Sequence, residues 1–473
     1  MKKLQYIILV ILSTIFLLST FVGCNSTSSK TSKEDKSEIL YPISEEKNGK
    51  LLYGYINKEG KKVVDCKYDY VGKFKEGLAL IYNKGKFNFI NTKGSIICKD
   101  IDFDNVFSFS EGFAAVRKNK KWTFINTEGK LISDFKYDFA HEFSHGIANV
   151  QKNSKWSFIN KEGKLLTDFK FDEITKFSEG FASVCKNKKW ALIDTKGNLK
   201  TDFEFDNIIG FSNGFCRVCK NNKWTFINKE MKPITNFELE DIDDFSEGLA
   251  CVCKNDKWGF IDTQGKLITK LEFDSSSTFK DGLAAIEKDK KGGYIDKNGK
   301  FAIQPKYELN SNFSENLAMA SLNNKIGFIN KKGTFVIPPK FEYSDQMPPF
   351  FEDGLVIVQL NNKVGFIDKK GDFVIPPKFD FATPFRHNLA FVKVHSGTAI
   401  INKKGKYIIN PGFEDINIDY GDLIYCSKIN KDRLEYMYVD HNGKTLYKSI
   451  ISSKLYDKSY EDIGKKLLDI IKN

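Results

Sequence analysis

The stretch FSEGLACVCKNDKWGFIDTQGK, Phe245 to Lys266, decides the fold. A glycine turn at Glu247 and Gly248 opens it, and an alternating run from Leu249 to Cys253 follows. A polar turn at Lys254 to Lys257 leads into a second run, Trp258 to Asp262, and Gly265 closes the unit. Side chains that alternate with a period of two belong to strands. An acidic or amide residue at the start of a turn, and a glycine free to take positive φ at its end, are hairpin chemistry.

Working outward, the unit recurs in register along most of the chain, so the repeat comes before any propensity argument. The opening glycine returns at Gly77, Gly112, Gly146, Gly180, Gly214, Gly248 and Gly282, after one step of 35 and then steps of 34. Asn316, Gly354 and Asn388 continue the series. The closing glycine runs from Gly60 to Gly443 with one departure, Met231. A third segment follows each hairpin and ends in an aromatic-acid pair, such as Tyr137-Asp138, Phe171-Asp172 or Phe205-Asp206. Each repeat therefore reads as a three-stranded antiparallel meander plus a loop.

A unit of this size cannot bury its own core, so neighbours must stack into one cooperative array. All five tryptophans, Trp122, Trp156, Trp190, Trp224 and Trp258, share one phase, which reads as core; the other reading is a sugar-stacking ladder. Beyond Phe301 the third strand gains prolines, as at Pro305, Pro338-Pro339, Pro376-Pro377 and Pro411. Proline donates no ladder hydrogen bond, which places these strands at a sheet edge. Propellers usually close with roughly four to eight blades, and the closing turns here exceed that. The expectation is an all-β, open, curved superhelical array of these repeats; the alternative is two propeller-like halves divided near Phe301.

The ends differ from the middle. Lys2 and Lys3 precede an apolar run that ends in Val22-Gly23-Cys24, the pattern of a secretory signal. It resembles a bacterial lipoprotein signal, which implies that Cys24 carries a lipid and becomes the mature N-terminus. Residues 1–23 read as the signal, 24–39 as a polar tether, 40–300 as tryptophan-type repeats, 301–445 as proline-containing repeats and 446–473 as a capping segment. Within that last segment Ser459 to Ile471 reads as a short amphipathic helix.

Trp258-Gly259-Phe260-Ile261-Asp262, the Ile-Gly-Phe-Ile and Val-Gly-Phe-Ile versions at Ile326 and Val364, and the Val-Ile-Pro-Pro-Lys-Phe runs at Val336 and Val374 resemble the WG-repeat proteins of bacteria. The resemblance covers Leu51 to Glu414. It implies a β-rich repeat scaffold and carries no catalytic residues over.

Charge and chemistry then bound the function. Lysine and arginine number 73 against 61 aspartate and glutamate, a net charge of +12. Only four of those cations are arginine, the residue suited to bidentate reading of phosphate or guanine. Specific nucleic-acid recognition is therefore not expected. Lys121, Lys155, Lys189, Lys223 and Lys257 occupy one phase in the first turn of successive repeats. Stacking would align them into a basic edge for an anionic cell-wall polymer; the plainer reading is a solvated hairpin edge protected by lysine.

Of nine cysteines, eight remain beside Cys24, with Cys185, Cys219 and Cys253 in one phase. They read as small apolar side chains, against an inter-repeat disulfide or metal ladder. His141-Glu142-Phe143-Ser144-His145 matches HExxH, the zinc-hydrolase pattern when it lies on a helix. Its phase is that of the loop before an opening glycine, which argues against a helix. No catalysis, metal or cofactor is expected. The function expected is a cell-surface scaffold, anchored to the membrane through lipid, that binds a protein or an anionic envelope polymer. An extracytoplasmic zinc hydrolase using His141, Glu142 and His145, and a passive envelope spacer, are the rival readings.

Overall fold

A computed structural model describes residues 39–99, 101–344 and 349–459. The signal segment, Cys24, the tether and nearly all of the expected C-terminal helix lie outside them. Within them the chain folds into twelve small sheets, each antiparallel throughout and each formed from consecutive strands. No helix among the described residues is long and apolar enough to cross a membrane.

The third sheet shows how the sequence makes the unit. Asn105–Val106 pairs with Phe113–Lys118, which pairs with Lys121–Asn126. The tip between the two long strands puts Asn119 and Lys120 at φ 50° and 65°, the left-handed pair that a tight hairpin needs. Asn126 opens the next turn by accepting hydrogen bonds from the N–H groups of Glu128 and Lys130 at 3.1 and 2.8 Å. Gly129 closes it at φ 81°.

The third segment differs between the two kinds of repeat. In the proline type it is a regular strand at the sheet edge, as Phe335–Phe341 beside Lys325–Ile329. Pro338 and Pro339 fall between the partners Ile337 and Phe341, inside a register shift where no ladder N–H is required. Gly327 is pressed beneath that segment: a Cβ there would lie 2.7 Å from the Pro339 nitrogen. In the tryptophan type the segment only touches its neighbour through isolated bridges, such as Trp122 to Tyr137 and Ile125 to Leu131. Hydroxyls replace the missing ladder bonds. Leu192 N–H donates to Thr201 Oγ1 at 3.0 Å, and Phe260 N–H to Thr269 Oγ1 at 3.0 Å.

Neighbouring sheets share their cores. Trp122, Phe124 and Tyr137 of one repeat pack with Ala140, Phe143, Ala148 and Val150 of the next. The closing turn rides on the preceding repeat, and at Gly299 a Cβ would lie 2.5 Å from the Ile268 carbonyl oxygen. The same relation joins Gly443 to Ile408 and, across the whole chain, Gly60 to Leu446.

That last contact shows that the array's ends meet. The first sheet, Tyr41–Lys47, Lys50–Ile56 and Lys62–Tyr68, packs on the last, whose strands include Leu423–Asn430, Arg433–Asp440 and Thr445–Ser452. Leu40, Tyr41, Ile43 and Tyr55 form one core with Leu423, Leu434, Tyr436 and Tyr438. Tyr436 donates its hydroxyl to Ser44 O at 2.8 Å and accepts from Ser44 N–H at 2.7 Å, while Tyr438 donates to Pro42 O at 2.7 Å. An open array leaves its two ends apart; here the first and last repeats cover each other's apolar faces. The tandem meanders are as the periodicity predicts, no sheet closes as a barrel, and the array closes through side-chain packing. A helical turn at residues 453–459 extends the seam, with Tyr456 against this core.

Candidate functional site

The hairpin tips and opening turns carry most of the polar chemistry, and repeat-to-repeat bonds use much of it. The five lysines expected to form a basic edge are each held by a carboxylate of the following repeat. Lys121 pairs with Asp138 and Lys155 with Asp172; Lys189 reaches Asp206 at 2.5 Å, Lys223 reaches Glu240 at 3.1 Å and Lys257 reaches Asp274 at 2.6 Å. The same carboxylate binds its own repeat's tip: Asn119 N–H donates to Asp104 at 2.7 Å and Asn187 N–H to Asp172 at 2.8 Å. The acid of the aromatic-acid signature is thus a clamp between repeats. These five ammonium groups therefore meet a carboxylate in place and do not stand free along the edge.

The clamps shift titration in one direction. The lysine hydrogen bond holds Asp138, Asp172, Asp206, Asp274 and Asp380 below the usual aspartate range, and Lys223 does the same for Glu240. A carboxyl with a depressed folded pKa stabilises above its unfolded pKa and loses that contribution as pH falls through the folded value. The melting temperature is therefore expected to fall as pH drops below about 4, near the unfolded aspartate value. Asp172→Asn should flatten the decline, and an identical pH profile in the variant would count against the clamp.

The opening turns bond in a second chain. Glu111 accepts from Gly146 N–H at 2.8 Å and pairs with Lys161 at 3.2 Å. Glu179 meets Gly214 N–H and Lys229, Glu247 meets Gly282 N–H and Lys297, and Glu315 meets Gly354 N–H and Lys369. These four turns are two repeats apart; Glu76, one repeat before Glu111, accepts from Gly112 N–H in the same way, and Asp353, one repeat after Glu315, pairs with Lys403.

His141, Glu142 and His145 fall in such a turn, with no helix under them. The His141 ring stacks on Trp156 at 5.4 Å and 16°, and burial pushes its pKa down. Glu142 turns to Lys176 at 3.4 Å. His145 sits at φ 54°, its N–H donating to Glu111 at 2.6 Å. No group of three or more histidine, cysteine, aspartate or glutamate side chains among the described residues is placed to hold a metal ion.

Trp122 is 2 % exposed, with Phe107 stacked on it at 5.0 Å and 11°, whereas the other four tryptophans are partly exposed. All eight cysteines after Cys24 are buried and free. Burial pushes the thiols of Cys216 and Cys251 up to about 12, far from the reactive thiolate range.

The chain belongs to the family described as WG containing repeat, whose model matches ten segments between residues 53 and 396. No curated protein matches the chain. Solved structures similar to it include the extracellular domain of a hybrid two-component system from B. thetaiotaomicron, at 11 % identity over 90 % of this chain and 72 % of that one, with a TM-score of 0.22. The dihydro-heme d1 dehydrogenase NirN is similar at 12 % identity over 63 % of this chain and 71 % of its own, with a TM-score of 0.26. Hsv2 of Kluyveromyces marxianus is similar at 12 % identity over 54 % and 89 %, with a TM-score of 0.18. Superpositions this loose bear on neither the fold nor the function of this chain.

Proposed function

We propose that this WG-repeat chain is a non-catalytic scaffold outside the cytoplasmic membrane, anchored through a lipid on Cys24, that binds an anionic envelope polymer or a protein. The observation that carries this reading is the array itself. One turn geometry is presented again and again on sheets whose polar side chains are committed to holding adjacent repeats together. Such a body offers a surface of recurring loops, which suits a partner that is itself repetitive. The signal pattern ending at Gly23-Cys24 supports the placement.

Two measurements test it. A clickable fatty acid should label the wild-type chain and leave Cys24→Ala unlabelled; equal labelling overturns the anchor. The purified full chain should co-sediment with envelope fragments at low salt. Absence of sedimentation, or hydrolytic activity with stoichiometric zinc that His141→Ala removes, overturns the scaffold.

A further inference from the structure

The hairpin tips are not electrically alike. Besides the clamped lysines, each tip from the third to the eighth sheet has an earlier lysine, and the sixteenth residue before it comes from the third segment of the preceding repeat. In the sixth, seventh and eighth sheets that residue is an acid. Glu204 pairs with Lys220 at 2.8 Å, Glu238 with Lys254 at 2.7 Å and Glu272 with Lys288 at 2.8 Å. In the fourth and fifth sheets the same position is lysine: Lys136 stands in register with Lys152, and Lys170 with Lys186. All four are exposed, and no ion pair holds any of them among the described residues. Lys136 and Lys170 lie over the rings of Tyr137 and Phe171, at 5.5 and 5.4 Å, which orients their ammonium groups without neutralising them. Lys188 adds an exposed charge at the fifth tip. Asp138 and Asp172, already clamped by Lys121 and Lys155, feel the charges of Lys152 and Lys186 without forming an ion pair with them, and Asp134, Asp168 and Glu173 form none either.

Like charges in register destabilise one another, so stability alone favours the acid found in the next three repeats. Packed sheets lie ~10 Å apart, and the Debye length is ~8 Å at physiological salt. The fields of adjacent tips therefore overlap into one positive surface. Its chemistry narrows the partner. Lysine binds phosphate as a point charge with rotatable donors and sets no planar geometry. Protein interfaces are depleted in lysine, whereas these tips offer Asn153, Ser154 and Asn187 between lysines, with the partly exposed Trp156 and Trp190 one residue pair further in.

We propose that Lys136, Lys152, Lys170, Lys186 and Lys188 form a docking surface for a linear polymer of phosphate groups. This rests on the scaffold reading above and names its surface and its ligand class.

The test uses the purified full chain in detergent with end-labelled long-chain polyphosphate, read by fluorescence anisotropy at two salt concentrations. Lys136→Glu/Lys170→Glu recreates the pairing of the later repeats and should weaken binding by about tenfold or more, with a shallower salt dependence and a melting temperature equal to or above that of wild type. Lys152→Gln/Lys186→Gln should weaken it as well. Lys220→Gln/Lys254→Gln removes the same number of charges at the same phase from lysines already paired, and should leave affinity within about twofold. Equal weakening by the two glutamine pairs overturns the surface, as does wild-type chain that ignores polyphosphate. Binding to phosphatidylglycerol vesicles without binding to the free polymer also overturns it, in favour of a membrane. If envelope fragments still co-sediment after any of these failures, the scaffold stands and only this surface falls.

Discussion

Replacing Trp122 by alanine is expected to cost ~3–5 kcal/mol of stability, the range for a large aromatic removed from a closed core. The indole is sealed on every side that matters: Phe107 covers one face, Phe139 meets it at 5.7 Å and Tyr137 bridges its backbone. The hole left behind cannot collapse without moving the next repeat, because Phe124, Phe143 and Val150 share that core. Trp190→Ala should cost on the order of 1–2 kcal/mol, since a partly exposed side chain surrenders less area. Its repeat has Thr175 at the phase where the third has Phe107, and no ring covers it there. Denaturant melts of the two variants decide the matter. Equal losses would mean that the shared phase, and not burial, sets the contribution of each tryptophan.

That contrast marks where the sequence stops being legible. Position 122 and position 190 are equivalent by phase, so repetition predicts one role for both; the difference comes from residues that repetition leaves free, such as Phe107 and Phe139 against Trp122. The meanders, their turns and the loop position of HEFSH were readable because each depends on local spacing. The lysine clamps were also present in the text, as a lysine followed 17 residues later by an acid at 121/138, 155/172, 189/206, 223/240 and 257/274. Reading the lysines within one repeat hides it, because each pair straddles two. Closure was illegible for a different reason. It joins the two most drifted repeats through Tyr436 and Tyr438, and nothing in a tandem pattern states how much each copy turns relative to the last.

Tyr436→Ala is expected to be as damaging as any core substitution, though it alters no contact within a standard repeat. The side chain is 3 % exposed and belongs to the core shared by the first and last sheets. Removing its ring costs roughly 3–5 kcal/mol. Removing its hydroxyl also strands the N–H of Ser44, a buried group that costs about 1–3 kcal/mol when left unpaired, while the Ser44 carbonyl keeps Ser449 Oγ as a donor at 3.4 Å. Tyr436→Phe isolates the second effect and should keep the fold. The consequence for the array depends on closure. In an open stack the loss would stay at one end, and the remaining repeats would melt as before. In the closed array the two faces that meet at this seam carry Tyr41, Tyr55, Leu423 and Tyr438, and separating them exposes both at once. Tyr436→Ala should therefore lower the main transition, enlarge the particle in small-angle scattering and promote association through the freed faces. A variant that melts within about 1 kcal/mol of wild type, with an unchanged scattering radius, would show that the seam contributes nothing beyond an ordinary surface contact.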